Sequence, residues 1–200
     1  MNVFFIDFET TGLNPYHDEI IEFAIKQKDT ENFVSNIVRP NKTKVIPPKI
    51  TEITNITNDM VFSNLSVNSM NACELIFTFL KENYSGEGFI YLIAHNGIPF
   101  DFVFLRTLIK RYCKQLNINP SEIDLFRNYK NIVYIDSLDV ARSFVPHLYS
   151  YSQKNLCKIF SIVQDGAHRA LNDIEVLEKV YYSVVNYDIG KFKYDKDLLN

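Results

Sequence analysis

The chain has 200 residues, of which 46% are apolar and 22% charged, with three cysteines. That composition excludes a disordered tract and a disulfide-stapled module, and the length suits one ordinary domain. A net charge of −3 argues against a protein that coats nucleic acid non-specifically, though not against one that grips only a strand end.

No run reaches about 18 apolar residues, so no membrane span is expected. The opening MNVFFIDFETTGL shows neither a basic leader nor a cleavage site. The expectation is a mature intracellular protein, in cytoplasm, nucleoid or nucleus. Cys73, Cys113 and Cys157 lie far apart without CxxC spacing and read as reduced, buried thiols.

Val3–Ile6 is a continuous apolar run, which predicts a strand buried on both faces. Asp7 and Glu9 are two apart and share one side of extended chain. Asp7 thus falls at the carboxyl end of the strand, where open α/β sheets place their ligands. Thr10-Thr11-Gly12 breaks the strand. Ile20–Ile25 and Asn32–Val38 read as the next two strands, joined by a hairpin turn over Lys26–Glu31. Pro40–Pro48 is a loop, and ITEITNITNDM reads as too short and polar for a core element. Ala72, Leu75, Ile76, Phe79 and Leu80 recur at helical spacing and predict a helix over 67–83. Phe89–Ile93 is a further apolar strand, ending at Ala94-His95-Asn96.

A helix from about Phe100 puts Asp101, Phe104, Leu105 and Leu108 on one stripe. A carboxylate on that inward face needs a partner, either a metal or an Arg. Asn131–Ile135 reads as a fifth strand, followed by short helices over Leu138–Phe144 and Ser152–Phe160. A last helix runs from about Ala167 to Asn186, with Leu171, Ile174, Leu177, Tyr181 and Val184 inward. One domain over 1–186 and a charged tail over 187–200 are expected. The order β-β-β-α-β-α-β-α-α predicts an α/β protein, a mixed sheet flanked by helices.

Asp7 and Glu9, Asp101, and His168 with Asp173 stand at the edges of these elements. Four carboxylates gathered in one place repel unless divalent cations sit between them. Two cations about 3.5–4 Å apart supply what phosphodiester hydrolysis needs: an activated water, a neutralised phosphate and support for the leaving oxygen. Carboxylate and water ligands favour two Mg²⁺ ions, with Mn²⁺ as a substitute, and no Cys–His set competes for Zn²⁺. Asp7 is best placed to bridge both ions. Glu9 and Asp173 complete the site of one, and Asp101 holds the other, directly or through water. His168 titrates near neutrality and suits a general base. Five helical residues turn through about 500°, which would leave His168 and Asp173 roughly 140° apart on a regular helix. His168 is therefore placed at the helix entrance, where Asp165-Gly166 marks a start.

These segments resemble the three motifs of the DEDDh exonucleases, the group that includes polymerase proofreading subunits, three-prime repair exonucleases and oligoribonuclease-type enzymes. Asp7 and Glu9, followed by Thr-x-Gly-Leu, match the first motif. Asp101 within His-Asn-x-x-x-Phe-Asp matches the second, and His168 with Asp173 the third. The likeness continues through HDEIIEFAI, IPPKITEITNIT, IDSLDVARSF and YSYSQKNLCKIFSI, covering residues 1 to about 185. Arg169 stands where a sister group carries Tyr. One departure is Asn55-Ile56-Thr57, where the family usually has Gly-Ile-Thr, with Thr54 and no His before it.

The resemblance implies a ribonuclease H-like, five-stranded mixed sheet, with the first three strands antiparallel and the first, fourth and fifth parallel. It implies metal-dependent release of nucleoside monophosphates from 3′ ends of single-stranded or frayed DNA or RNA, DNA slightly favoured. The backbone of Thr10, Thr11 and Gly12 is expected to meet the terminal sugar or phosphate. Leu13 and Ile56 are expected to wedge or stack against terminal bases, and His95, Asn96 and Phe100 to contact the penultimate nucleotide. His17 and His147 read as surface residues, and Tyr149 and Tyr151 suit stacking or packing alike. Two rival readings stay open: a nucleic-acid-binding module that does not cut, and a proofreading subunit inactive without its DNA polymerase or replication complex.

Overall fold

A computed structural model describes residues 2–43, 45–118, 131–163 and 169–187. His168 and the tail beyond Tyr187 lie outside the described residues. The first apolar run extends through both acids: β1 covers Val3–Thr10. Its alternation sends Phe4, Ile6 and Phe8 into one core and Val3 and Phe5 into another. Asp7 and Glu9 continue the Val3–Phe5 row and are half-buried.

β2 (Ile20–Gln27) pairs antiparallel with β1, and β3 (Phe33–Arg39) antiparallel with β2. β5 (Ile90–Ala94) lies parallel to β1, and β6 (Ile132–Asp136) parallel to β5. The expected five strands are joined by a sixth, β4 (Val67–Asn68), parallel to the end of β3. The sheet order among the described residues is β4-β3-β2-β1-β5-β6. The sixth strand corrects the predicted helix over 67–83. Asn68 Oδ1 accepts the Asn71 N–H at 2.9 Å, so the cap holds Asn68 extended and α3 spans Ser69–Glu82.

α3 and α4 (Asp101–Tyr112) cover one face of the sheet through Ile76, Leu80, Phe104 and Leu105. α7 (Ala170–Val185) covers the other through Ala170, Ile174 and Leu177. Two short helices, α5 (Ser137–Phe144) and α6 (Gln153–Ile159), pack on α7 around Leu156, Val176 and Val180. Each fully buried Phe or Leu in these layers contributes roughly 1.5–3 kcal/mol.

The segment read as too polar for a core element forms α1 (Pro48–Thr54) and α2 (Asn58–Val61). Pro48 opens the first, where its missing N–H costs nothing. The Thr57 hydroxyl caps the second by accepting the Met60 N–H. Between them Asn55 adopts φ 58. Asn is the residue that most readily follows Gly into this left-handed region, which explains how it replaces the family's Gly. The pair of helices brings Ile46, Ile56 and Val61 together over Ile21.

The three cysteines are free. Among the described residues no helix is long and apolar enough to cross a membrane.

Candidate active site

The acids gather at the carboxyl end of β1. Asp7 and Glu9 project from β1 towards α7, and Asp173 lies in the first turn of that helix. Carboxylate oxygens of Asp7, Glu9 and Asp173 lie within 4.8 Å of one another. The row that buries Val3 and Phe5 against α7 therefore delivers both β1 acids to it.

Asp101 arrives by a different route. β1 and β5 pair as far as Phe5 and Ile93, so the edge of β1 beyond that point is open. The chain leaves β5, turns through residues 95–100 and enters α4, whose first residue fills that edge. Asp101 Oδ1 accepts the Phe8 N–H at 3.0 Å, and the residue is only 3% exposed. The partner its inward position requires is thus a strand N–H beside the site.

These acids hold their protons tightly. Burial, then the charges of Asp101, Glu9, Asp173 and Glu22, push the Asp7 carboxyl well above its ordinary value. Burial, then Asp173, Glu22 and Asp101, raise Glu9 to about 8, against a lowering pull from Arg169. Burial raises Asp101 to about 7, opposed by the N–H groups of Phe8 and of Asp101 itself. Among the described residues, Asp7, Glu9 and Asp173 form a group that could hold a metal ion. Its donors among the described residues are carboxylate oxygens, which fits a hard divalent ion such as Mg²⁺ or Mn²⁺.

The expected substrate contacts divide. Leu13 is 83% exposed on the loop after β1 and free to meet a ligand. Ile56 is 0% exposed, packed in the small cluster over β2; this corrects its reading as a base wedge. The Thr10 and Thr11 backbone is also less available than expected. Thr10 stands in the ladder opposite Ile20, past a bulge at Glu9, and the Thr11 N–H donates to the Glu19 carbonyl at 2.9 Å. Gly12 is required for another reason. A Cβ there would stand 2.5–2.7 Å from the Asp18 carboxylate, which accepts the Asn14 N–H and the Thr11 hydroxyl and closes the loop.

His95 is half-buried, its Nδ1 2.9 Å from Ser137 Oγ, and burial lowers its pKa. Asn96 is exposed at φ 60. Its N–H donates to Asp136 Oδ1 at 2.8 Å. Phe100 packs on Phe104 with ring centroids 5.0 Å apart. Tyr149 is exposed, whereas the Tyr151 hydroxyl donates to the Val145 carbonyl.

Three further acids shape the site. Glu22 faces Glu9 across the ladder, Asp18 closes the loop before β2, and Asp136 ties the β5–α4 loop to β6 through the Asn96 and Ile98 N–H groups. A signal existed for each: an acid inside an apolar strand, an acid six residues after a Gly, and a helix-capping Asp at a strand end.

The comparisons agree with this geometry. An exonuclease family model, RNase_T, matches residues 4–181. A PolC-type DNA polymerase III of Mycoplasma genitalium is 32% identical over 88% of this chain and 11% of its own length. A DNA polymerase III epsilon subunit of Aquifex aeolicus is 28% identical over 94% of this chain and 90% of its own. The zinc-bound E. coli exonuclease I–single-stranded DNA complex shares the fold, with TM-score 0.74 at 19% identity, covering 94% of this chain and 41% of that one. The chain spans 11%, 55% and 12% of the lengths of the first curated relatives it matches. Acids gathered at the strand ends of a ribonuclease H-like sheet, under a family match over nearly its whole length, make the chain a member of the exonuclease family.

Proposed function

We propose that the chain is a divalent-metal-dependent 3′–5′ exonuclease that releases nucleoside monophosphates from single-stranded or frayed ends, with DNA slightly favoured over RNA. The observation that carries this reading is the convergence of Asp7, Glu9 and Asp173 within 4.8 Å, with Asp101 on the adjacent strand edge. These four residues would hold Mg²⁺ or Mn²⁺. Bound there, the cations supply charge neutralisation for the phosphate and for the attacking and leaving oxygens.

The protein's own part is positional and acid–base. β1 and α7 fix the Asp7, Glu9 and Asp173 oxygens, and the Phe8 N–H fixes Asp101. His168, outside the described residues, is the group the sequence offers as base for the attacking water. Leu13, exposed on a loop that Asp18 braces, is placed to lie against a terminal base. His95, Asn96 and Phe100 border the same strand ends and are proposed to contact the next nucleotide.

A proofreading role beside a DNA polymerase is the second reading. It is favoured by the likeness to the Aquifex epsilon subunit over 90% of that protein's length. End-labelled DNA and RNA oligonucleotides incubated with the protein in Mg²⁺ test both readings. A ladder of products shortened from the 3′ end, lost in EDTA and in Asp7→Ala, is the expected result. A 5′-directed ladder, metal-independent cleavage or an active Asp7→Ala protein would overturn the proposal. Stimulation by a co-purifying polymerase would mark the proofreading role.

A further inference from the structure

Glu22 is a buried acid that the proposed chemistry does not use. It is 3% exposed and stands directly across the β1–β2 ladder from Glu9. Placing a second carboxylate there raises the charge repulsion in a site already crowded with acids. The ion pair Glu22 makes with Arg169, whose side chain is 43% exposed, is a modest source of net stability. Its geometry suggests a different purpose.

Both oxygens of Glu22 are committed to the start of α7. Oε1 accepts from Arg169 Nε at 3.0 Å and Nη2 at 2.8 Å, and Oε2 accepts the Ala170 N–H at 3.0 Å. Arg169 is the cap residue of α7, in extended conformation, with no side-chain cap of its own. Ala170 is the first helical residue, so its N–H is one of those a helix leaves without an internal partner. The cap that local sequence lacks is therefore delivered from β2. Arg169 also accepts, through its carbonyl, the Asp173 N–H at 3.0 Å. The metal-facing acid of α7 is thus one helical hydrogen bond away from the Glu22 contact. The Asp173 carbonyl in turn accepts from Gln153 Nε2 at 2.9 Å, which braces the same turn from α6.

We propose that Glu22 and Arg169 are positioning residues, a clasp between β2 and α7 that sets the first turn of α7 so that Asp173 meets Asp7 and Glu9 at cation-binding distance. This rests on the metal-dependent reading of the site. The backbone ladder places Glu22 opposite Glu9, and its carboxylate holds the helix that carries Asp173. Both sides of the cation site are thereby referred to one carboxylate. Two nitrogens of the Arg169 fork converge on Oε1 while Oε2 takes the Ala170 N–H, an arrangement that a lysine's single ammonium does not reproduce.

The test uses the full-length protein and its Glu22→Gln, Arg169→Gln and Arg169→Lys variants. Mn²⁺ binding is measured by calorimetry, unfolding temperature without metal, and kcat and KM on a single-stranded DNA oligonucleotide. Groups that orient ligand-bearing elements typically change metal affinity or activity by about 10–100-fold. That loss is expected in both Mn²⁺ affinity and kcat for Glu22→Gln and Arg169→Gln, with KM within about two-fold of wild type. Arg169→Lys keeps the charge without the fork and is expected to recover part of both.

A folded Arg169→Gln protein with wild-type Mn²⁺ affinity and kcat overturns the clasp, whatever its unfolding temperature. If Arg169→Gln does not fold, an Arg169→Lys protein indistinguishable from wild type in both readouts overturns it equally. A wild-type chain that binds Mn²⁺ and does not cut defeats the proposed function, and the clasp is then judged on Mn²⁺ affinity. A wild-type chain that binds no Mn²⁺ defeats both.

Discussion

Asp101→Asn should make the metal-free protein more stable above neutrality while abolishing its proposed activity. Asn keeps an oxygen for the Phe8 N–H, which Asp101 accepts at 3.0 Å, and it reproduces the neutral form of the acid. The fold raises the Asp101 pKa from 3.8 to about 7, chiefly through burial. A carboxyl shifted upward binds its proton more tightly in the folded state. Its contribution is complete below the unfolded value and is lost as pH rises through about 7. Each pKa unit is worth about 1.4 kcal/mol, so the loss reaches about 4 kcal/mol at most. For a chain of this size that corresponds to about 10 °C in unfolding temperature. Thermal unfolding followed by circular dichroism in EDTA, across a pH series, reads the effect. The wild-type curve should fall through this window, and the Asp101→Asn curve should fall less and lie above it on the alkaline side. The two should converge below about pH 4, where Asp101 is protonated in both states. Parallel curves, or an Asn variant less stable on the alkaline side, would refute the assignment of Asp101 as a buried acid without a counter-charge.

Asp18→Ala should open the loop after β1, because its carboxylate accepts both the Asn14 N–H and the Thr11 hydroxyl. Steady-state kinetics on an oligonucleotide should show KM raised several-fold, about 1 kcal/mol of binding, with kcat nearly kept. Ile56→Ala should cost about 2–5 kcal/mol in denaturant unfolding, the range for truncating a fully buried Ile, and leave KM unchanged. A KM effect without a stability effect would restore the base-wedge reading. Glu19 accepts the N–H groups of Asn41, Lys42 and Thr43, which hold its carboxyl below the ordinary value against the cost of burial. Its contribution is present above the unfolded pKa and lost as pH falls through the folded one. Glu19→Gln should therefore destabilise the protein by about 1–3 kcal/mol near neutrality, and urea unfolding should show that difference shrinking in acid.

Much of the architecture was legible because each central strand is an apolar run and each covering helix has a marked stripe. The inward position of Asp101 followed from its spacing to Phe104, Leu105 and Leu108, and all four residues are buried. What escaped the sequence depends on partners distant along the chain. α7 starts at Ala170 because Glu22 caps it from β2, and nothing local announces that. α1 and α2 are too short to show a period, so their single buried faces passed for loop. The direction of Ile56 turned on Asn55 entering left-handed conformation, which aims the next residue inward. The N–H of Thr11 was assigned to substrate because the opposing Glu19 carbonyl is set by a bulge that the sequence does not display.

Most acids around the site are of two kinds, differing in what satisfies them, and Asp101, which accepts the Phe8 N–H beside the cluster, stands between the two. Glu19 accepts the N–H groups of the loop over residues 41–43, Asp136 those of Asn96, Ile98 and Leu138, and Glu22 that of Ala170 together with the Arg169 side chain. Such acids are satisfied by protein and act as braces. Among the described residues no hydrogen bond reaches the Asp7 or Glu9 carboxylates, although both are hemmed in by other acids. Crowding half-buried carboxylates on a central strand costs stability that apolar side chains there would not cost. Their presence on β1, between a braced loop and a braced helix, fits the proposed metal site. Removing a brace should therefore weaken cation binding through geometry, whereas removing a cluster acid should weaken it through charge, and the two are separable by whether metal-free stability above neutrality falls or rises.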